Sequence, residues 1–228
     1  MSEPAENAPE HDAADCAERL HSHEQELWRS LTRGIAHRLG SSFTALLSHA
    51  DTAEKAEEAA QRAEAVTGLR RVSRAASETA AALFDLADLA GADRRASLRD
   101  DLAAMVRVLR GASSPKIEIE SRLEAPAADR TALEPHVRLV LLAAGHRIAS
   151  SLLPGDALVL EARLDEAGGL HLSAGGPNAQ NARVDLGALT RLASELHGVA
   201  GVSASDAPQL SFQISLEAAA LSPDPAAP

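Results

Sequence analysis

From Leu20 onward the apolar positions fall three and four residues apart, at Leu27, Leu31, Ile35, Leu39, Phe43 and Leu46, with polar residues between them. That spacing gathers the side chains on one face of a long amphipathic α-helix. A second stripe, Leu69, Val72, Ala76, Thr79, Leu83, Leu86 and Ala90, alternates three and four, the period of a bundle seam. Gly91 is expected to end it. Between the stripes, residues 51–65 are rich in Ala and Glu and hold neither Pro nor Gly, so the helices should run into a short connection. Two long helices in succession favour an antiparallel hairpin. A lone hairpin has little core of its own, and pairing with a second copy would give a dimeric four-helix bundle.

After Gly91 the texture changes. Leu98–Arg110 reads as a helix, the segment from Lys116 alternates with period two, and Leu133–Ser151 is again helical. Two strands are expected from Ala157 and from Leu170, joined by the turn Asp165–Gly169. A helix from Asp185 closed by Gly198, then strands over Val199–Ser203 and Gln209–Leu216, complete the series. Helices interleaved with mostly antiparallel strands predict an α+β fold with helices packed on one sheet face.

Composition acts mainly by exclusion. With 228 residues, 45% hydrophobic and 24% charged, the chain has material for one or two cores. Aromatics are 2%, Tyr is absent and the net charge is −11, which argues against a nucleic-acid partner. The longest apolar stretch, around Leu139–Ala144, is far below the roughly 20 residues that cross a bilayer. The start shows neither a basic nor an apolar leader region, so a soluble cytoplasmic protein with no membrane partner is expected. Residues 1–16 and 218–228 read as mobile tails around a hairpin over 17–92 and a second domain over 93–217. His21 and His23 diverge by about 200° on a helix and the lone Cys16 lacks zinc spacing, so no metal site is expected.

The segment GIAHRLGSSFTALLSHADT, Gly34–Thr52, resembles the phosphoacceptor helix of bacterial two-component histidine kinases, with His37 on the phosphorylated histidine. RRVSRAASETAAALFDLADLAG from Arg70 is similar to the second helix of that family's dimerisation hairpin. The later segments follow in the order of its ATPase domain, so the resemblance spans about residues 20–217. It implies a dimeric helical hairpin followed by an ATPase-like α/β sandwich. Periodicity supports His37 separately: two residues from Ile35 is about 200° around a helix, so the ring should face solvent. An accessible imidazole nitrogen is a competent nucleophile towards a phosphoryl group.

Several positions depart from the family's pattern. Its histidine is followed by an acidic residue that orients or deprotonates the ring; here Arg38 follows, and a guanidinium accepts no proton. Arg38 either pairs with a phosphoryl group on His37 or is a solvated helix charge. Ser41 stands one turn on, where the family often has Asn or Thr, and either orients the ring or is solvated. The family's Mg²⁺-holding Asn is absent from LLAAGHRIASS, where His146 or Arg147 takes its place. The adenine-reading Asp is missing from LSAGGP, which offers Ser173 and Ala174, and the stretch from Gly176 to Asp185 is short for a nucleotide lid. The later glycine pair is reduced to Gly187.

Together these features imply a degenerate ATPase-like domain with no nucleotide or other cofactor. The expectation is a histidine phosphotransferase that passes phosphate between receiver domains of response regulators through His37, with Arg38 and Ser41 beside it. The receiver would supply Mg²⁺, and the chain would be a homodimer. The alternative is a catalytically inactive pseudo-kinase that binds kinases or response regulators as a scaffold. An anti-regulator binding a sigma or anti-sigma factor leaves the hairpin segment unexplained.

Overall fold

Both stripes fold as helices, α1 over Ala8–Lys55 and α2 over Ala59–Ala90, joined by the three residues Ala56–Glu58. The computed structural model describes residues 8–91, 97–124, 127, 133–167, 169–176, 184–196, 199–205 and 210–217, with the backbone alone for 8–17 and 20. The expected C-terminal tail from residue 218, the lid stretch 177–183, Gly198 and the Cys16 side chain lie outside what is described. Residues 8–16, expected as tail, are the first turns of α1. Pro9 sits in the first turn, where its missing N–H is harmless, and no Pro or Gly follows before Gly34.

Leu27, Leu31 and Ile35 of the first stripe are buried, but Phe43 is exposed. On α2 the buried residues are Ala65, Gly68, Thr79, Ala82, Leu86 and Leu89, while Leu83 and Ala90 of the expected seam are exposed. The reason is that α2 packs against two helices, α1 and α3, the latter spanning Leu98–Ala112. A shift of one position, about 100° of helix, brings Ala82 and Leu89 inward.

Beyond α3 the order is β1 (Glu118–Leu123), α4 (Pro135–Ser151), β2 (Ala157–Leu164), β3 (Leu170–Gly176), α5 (Gly187–Ser194), β4 (Val199–Ser205) and β5 (Leu210–Leu216). The sheet order is β1-β2-β3-β5-β4, with β1 parallel to β2 and every other pairing antiparallel. The parallel pair is bridged by α4, as a crossover requires. Alternate residues Leu170, Leu172 and Ala174 of β3 and Leu210, Phe212, Ile214 and Leu216 of β5 are buried, and α3, α4 and α5 pack with the sheet. This core is continuous with Leu27, Leu31 and Ile35 of α1 and Leu86 and Leu89 of α2.

Two local devices fix the join between hairpin and sheet. The Ser97 hydroxyl accepts from the Asp100 N–H and the Asp100 carboxylate accepts from the Ser97 N–H, a reciprocal cap on α3. Asp101 and Arg138 form a buried ion pair at 3.7 Å between α3 and α4. Asp101 Oδ2 also accepts from the Leu133 N–H at 2.8 Å, and Arg138 Nη2 donates to the Gly91 carbonyl at 3.2 Å. The pair therefore ties the end of α2 to α3 and α4.

Candidate functional site

Helices α1, α2 and α3 converge at Ile35 because glycines stand at the crossings. A Cβ on Gly111 would lie 2.7 Å from the Ala82 Cβ and 3.4 Å from Ile35 Cγ1, and one on Gly34 would lie 2.6 Å from the Ala112 carbonyl oxygen. His37 comes next along α1, turned away from that crossing. It is exposed, and its ring has no hydrogen-bond partner among the described residues. It lines a cleft of ≈ 700 Å³ with Gly34, Ser41 and Ala45 of α1, Arg71 and Ala75 of α2, and the turn Ala112–Pro115 after α3. The exposure expected from helical spacing is therefore found, and the cleft adds two walls that the spacing could not supply.

Arg38 is placed differently from either expectation. Its Nη1 donates to the backbone carbonyls of Arg110 and Ser113, the latter at 3.2 Å, at the C-terminal end of α3. Partial burial pulls this guanidinium below its ordinary value, and Glu78 on α2 pushes it back. A guanidinium there complements the negative end of the α3 dipole. Ser41 shares the cleft, but its hydroxyl donates to the His37 carbonyl at 3.1 Å, one turn back, and not to the ring.

The residues that the resemblance places beside a nucleotide make contacts within the chain. His146 Nε2 and Ser30 Oγ are 2.8 Å apart, joining α4 to α1, and Arg147 Nη1 donates to the Asp185 carbonyl at 3.0 Å. Burial, with Arg147 beside it, holds the His146 imidazole below its ordinary value. These side chains line a second cleft of ≈ 430 Å³ together with His23, Glu26 and Leu27 of α1. Residues 172–176 of the segment LSAGGP are strand, because β3 continues through Gly176 in register with Leu210 of β5. Ala174 faces the core and Ser173 the opposite side of the sheet.

One constellation went unread in the sequence. His171 Nε2 lies 3.0 Å from Asp165 Oδ2, and Ser215 Oγ lies 2.8 Å from His171 Nδ1. The bond to His171, followed by those from Gly169 and Ala167, holds the Asp165 carboxyl below its ordinary range. Asp165 Oδ1 accepts both backbone bonds within the β2–β3 turn, at 2.8 and 2.9 Å. The order resembles a hydrolytic triad, laid across neighbouring strands, with β5 paired to β3 on one side and β4 on the other. The three residues staple the hairpin to β5. No group of three or more metal-ligating side chains occurs among the described residues.

A helical hairpin with an exposed histidine on its first helix, followed by a mixed five-stranded sheet under helices, defines the histidine-kinase-like class of fold. No protein-family model matches the chain, and no curated protein matches it in sequence. Solved structures do match. A bacterial phosphotransferase solved at 1.7 Å is 14% identical over 83% of this chain and 96% of that one, with a TM-score of 0.52. A histidine kinase from Burkholderia phymatum is 14% identical over 80% of this chain and 96% of that one, with a TM-score of 0.41. The histidine kinase domain of the blue-light activated kinase EL346 from Erythrobacter litoralis is 12% identical over 86% and 97%, with a TM-score of 0.40. At 14% identity the likeness to the phosphotransferase is one of fold, a helical hairpin followed by a mixed sheet under helices.

Proposed function

We propose that this protein is a histidine phosphotransferase of two-component signalling, which moves a phosphoryl group between receiver-domain aspartates through His37 without using ATP. The observation that carries this reading is the exposed, unpartnered His37 ring on the wall of a ≈ 700 Å³ cleft formed by three elements. In the transfer, a lone pair on an imidazole nitrogen attacks the phosphorus of a receiver's aspartyl phosphate. An N–P bond forms, the P–O bond to the aspartyl carboxylate breaks, and the carboxylate leaves; the ring's other nitrogen releases its proton to solvent. A second receiver's carboxylate takes the group by the reverse step. The receiver would bring Mg²⁺ to its own phosphoryl oxygens, and this chain would contribute the nucleophile and its placement.

Independence from ATP is supported by the contacts of α1 with α4 and α5. Ser30 bonds His146, and Arg19 of α1 pairs with Glu195 just after α5 at 3.1 Å, so the first helix is tied to the elements that would frame a nucleotide. Arg38 in place of an acidic neighbour also removes the base an ATP-driven kinase would use. Pairing of two chains is supported by Phe43 at 58%, Leu47 at 73%, Leu83 at 37% and Phe84 at 76% exposure on the hairpin. Phe43 lies about 240° around α1 from His37, so a bundle seam there leaves the cleft open. The same Arg38 substitution favours a second reading, a scaffold that binds receivers or kinases without chemistry. Transfer of phosphate from phosphorylated receivers to wild-type protein but not to His37→Ala separates the two.

A further inference from the structure

We infer that Arg38 is a positioning residue that latches the α3–β1 turn beside His37 and so fixes one wall of the receiver-docking cleft; its functional consequence rests on the phosphotransfer reading, while the latch rests on geometry alone. Gly34 and Arg38 are one helical turn apart and straddle the C-terminal end of α3. Gly34 lets the Ala112 carbonyl approach to within a distance no Cβ would allow, and Arg38 Nη1 donates to the carbonyls of Arg110 and Ser113 on either side of it. The Arg110 carbonyl is one of the last of α3, which the helix itself leaves without partners, and Ser113 is the cap residue that follows it. The segment held in this way, Ala112–Pro115, lines the cleft together with His37, Ser41 and Ala45. A carboxylate at position 38 would meet carbonyl oxygens there and be repelled. The same substitution that removes a kinase's base therefore supplies a clamp between the hairpin and the sheet domain.

The latch makes a prediction opposite to that of a guanidinium touching the phosphoryl group. In Arg38→Gln the turn is held for only part of the time, so apparent affinity for a docked receiver falls with the competent fraction. Three measurements on the full chain decide it. Hydrogen exchange at the Ser113 and Ile117 amides, bonded to the Leu109 and Ser114 carbonyls, should quicken roughly tenfold in Arg38→Gln. The KM for a phosphorylated receiver should rise roughly tenfold with the maximal rate retained, and Arg38→Lys should recover part of it. Labelling of His37 by phosphoramidate, a donor too small to need the wall, should stay within about twofold of wild type. Unchanged amide exchange would overturn the latch, and so would a parallel fall with both donors. If the wild type accepts phosphate from no receiver, the phosphotransfer reading fails, and amide exchange alone decides whether the latch exists.

Discussion

Gly34 and Gly40 lie on the same helix and should respond in opposite ways to a methyl group. At Gly34 the new Cβ would meet a backbone oxygen at 2.6 Å, whereas at Gly40 nothing lies within 4 Å. Gly34→Ala is expected to destabilise by about 1–3 kcal/mol and Gly40→Ala to stabilise by up to about 1 kcal/mol, read from denaturant midpoints. The buried pair gives a larger effect. Asp101→Ala leaves the Arg138 guanidinium buried without its carboxylate, and a loss of roughly 3–5 kcal/mol is expected in the same measurement. What the sequence reveals at this scale depends on distance along the chain. The outward direction of His37 follows from its immediate neighbours on one helix. Arg38 could not be read that way, since its acceptors are 72 and 75 residues further on. Asp101 and Arg138 carry no local signal of their pairing, for each is an ordinary charge within a helical pattern.

At the scale of elements, the α1–α4 contact has a pH dependence with a definite sign. His146 is held below its ordinary value in the folded chain, while an unfolded histidine takes up its proton near about 6.5. Below that pH the unfolded chain binds more protons, so stability is full above it and falls as the pH drops towards the folded value. Urea midpoints should therefore decrease between pH 7.5 and 5, and His146→Gln should lessen that decrease; an equal decrease in the variant would contradict the assignment. Helices and strands were legible where one local pattern governed them. The strand from Ala157 to Leu164 and the helix from Leu98 appear where alternation and the apolar stripe place them. The S-x-x-D signal of the Ser97 cap was present and went unread. By contrast, residues 172–176, LSAGG, look like a turn in isolation and become strand because β5, over 30 residues later, supplies a ladder for them. The face of α2 was rotated for a similar reason, since α3 packs on it in addition to α1.

Over the whole molecule, the hairpin and the sheet share one core, and four of the five large exposed apolar residues among those described, Phe43, Leu47, Leu83 and Phe84, lie on the hairpin, with Leu153 on the sheet domain. Phe43 and Leu47, one turn apart, belong to the seam proposed between two chains. Replacing both with Glu should convert a dimer into a monomer by light scattering while leaving helix content unchanged; a wild type already monomeric at micromolar concentration would remove the seam. No helix among the described residues is long and apolar enough to cross a membrane. Chemistry at the His37 ring is read directly by phosphate transfer. Wild-type protein and His37→Ala are mixed with a panel of phosphorylated receiver domains, and acid-labile phosphate on this chain is followed over time. Label is expected on the wild type, none on His37→Ala, and onward passage to a second receiver. A folded wild-type protein that takes up no label from the complete panel, or a His37→Ala variant that is labelled as well as wild type, would contradict transfer through His37.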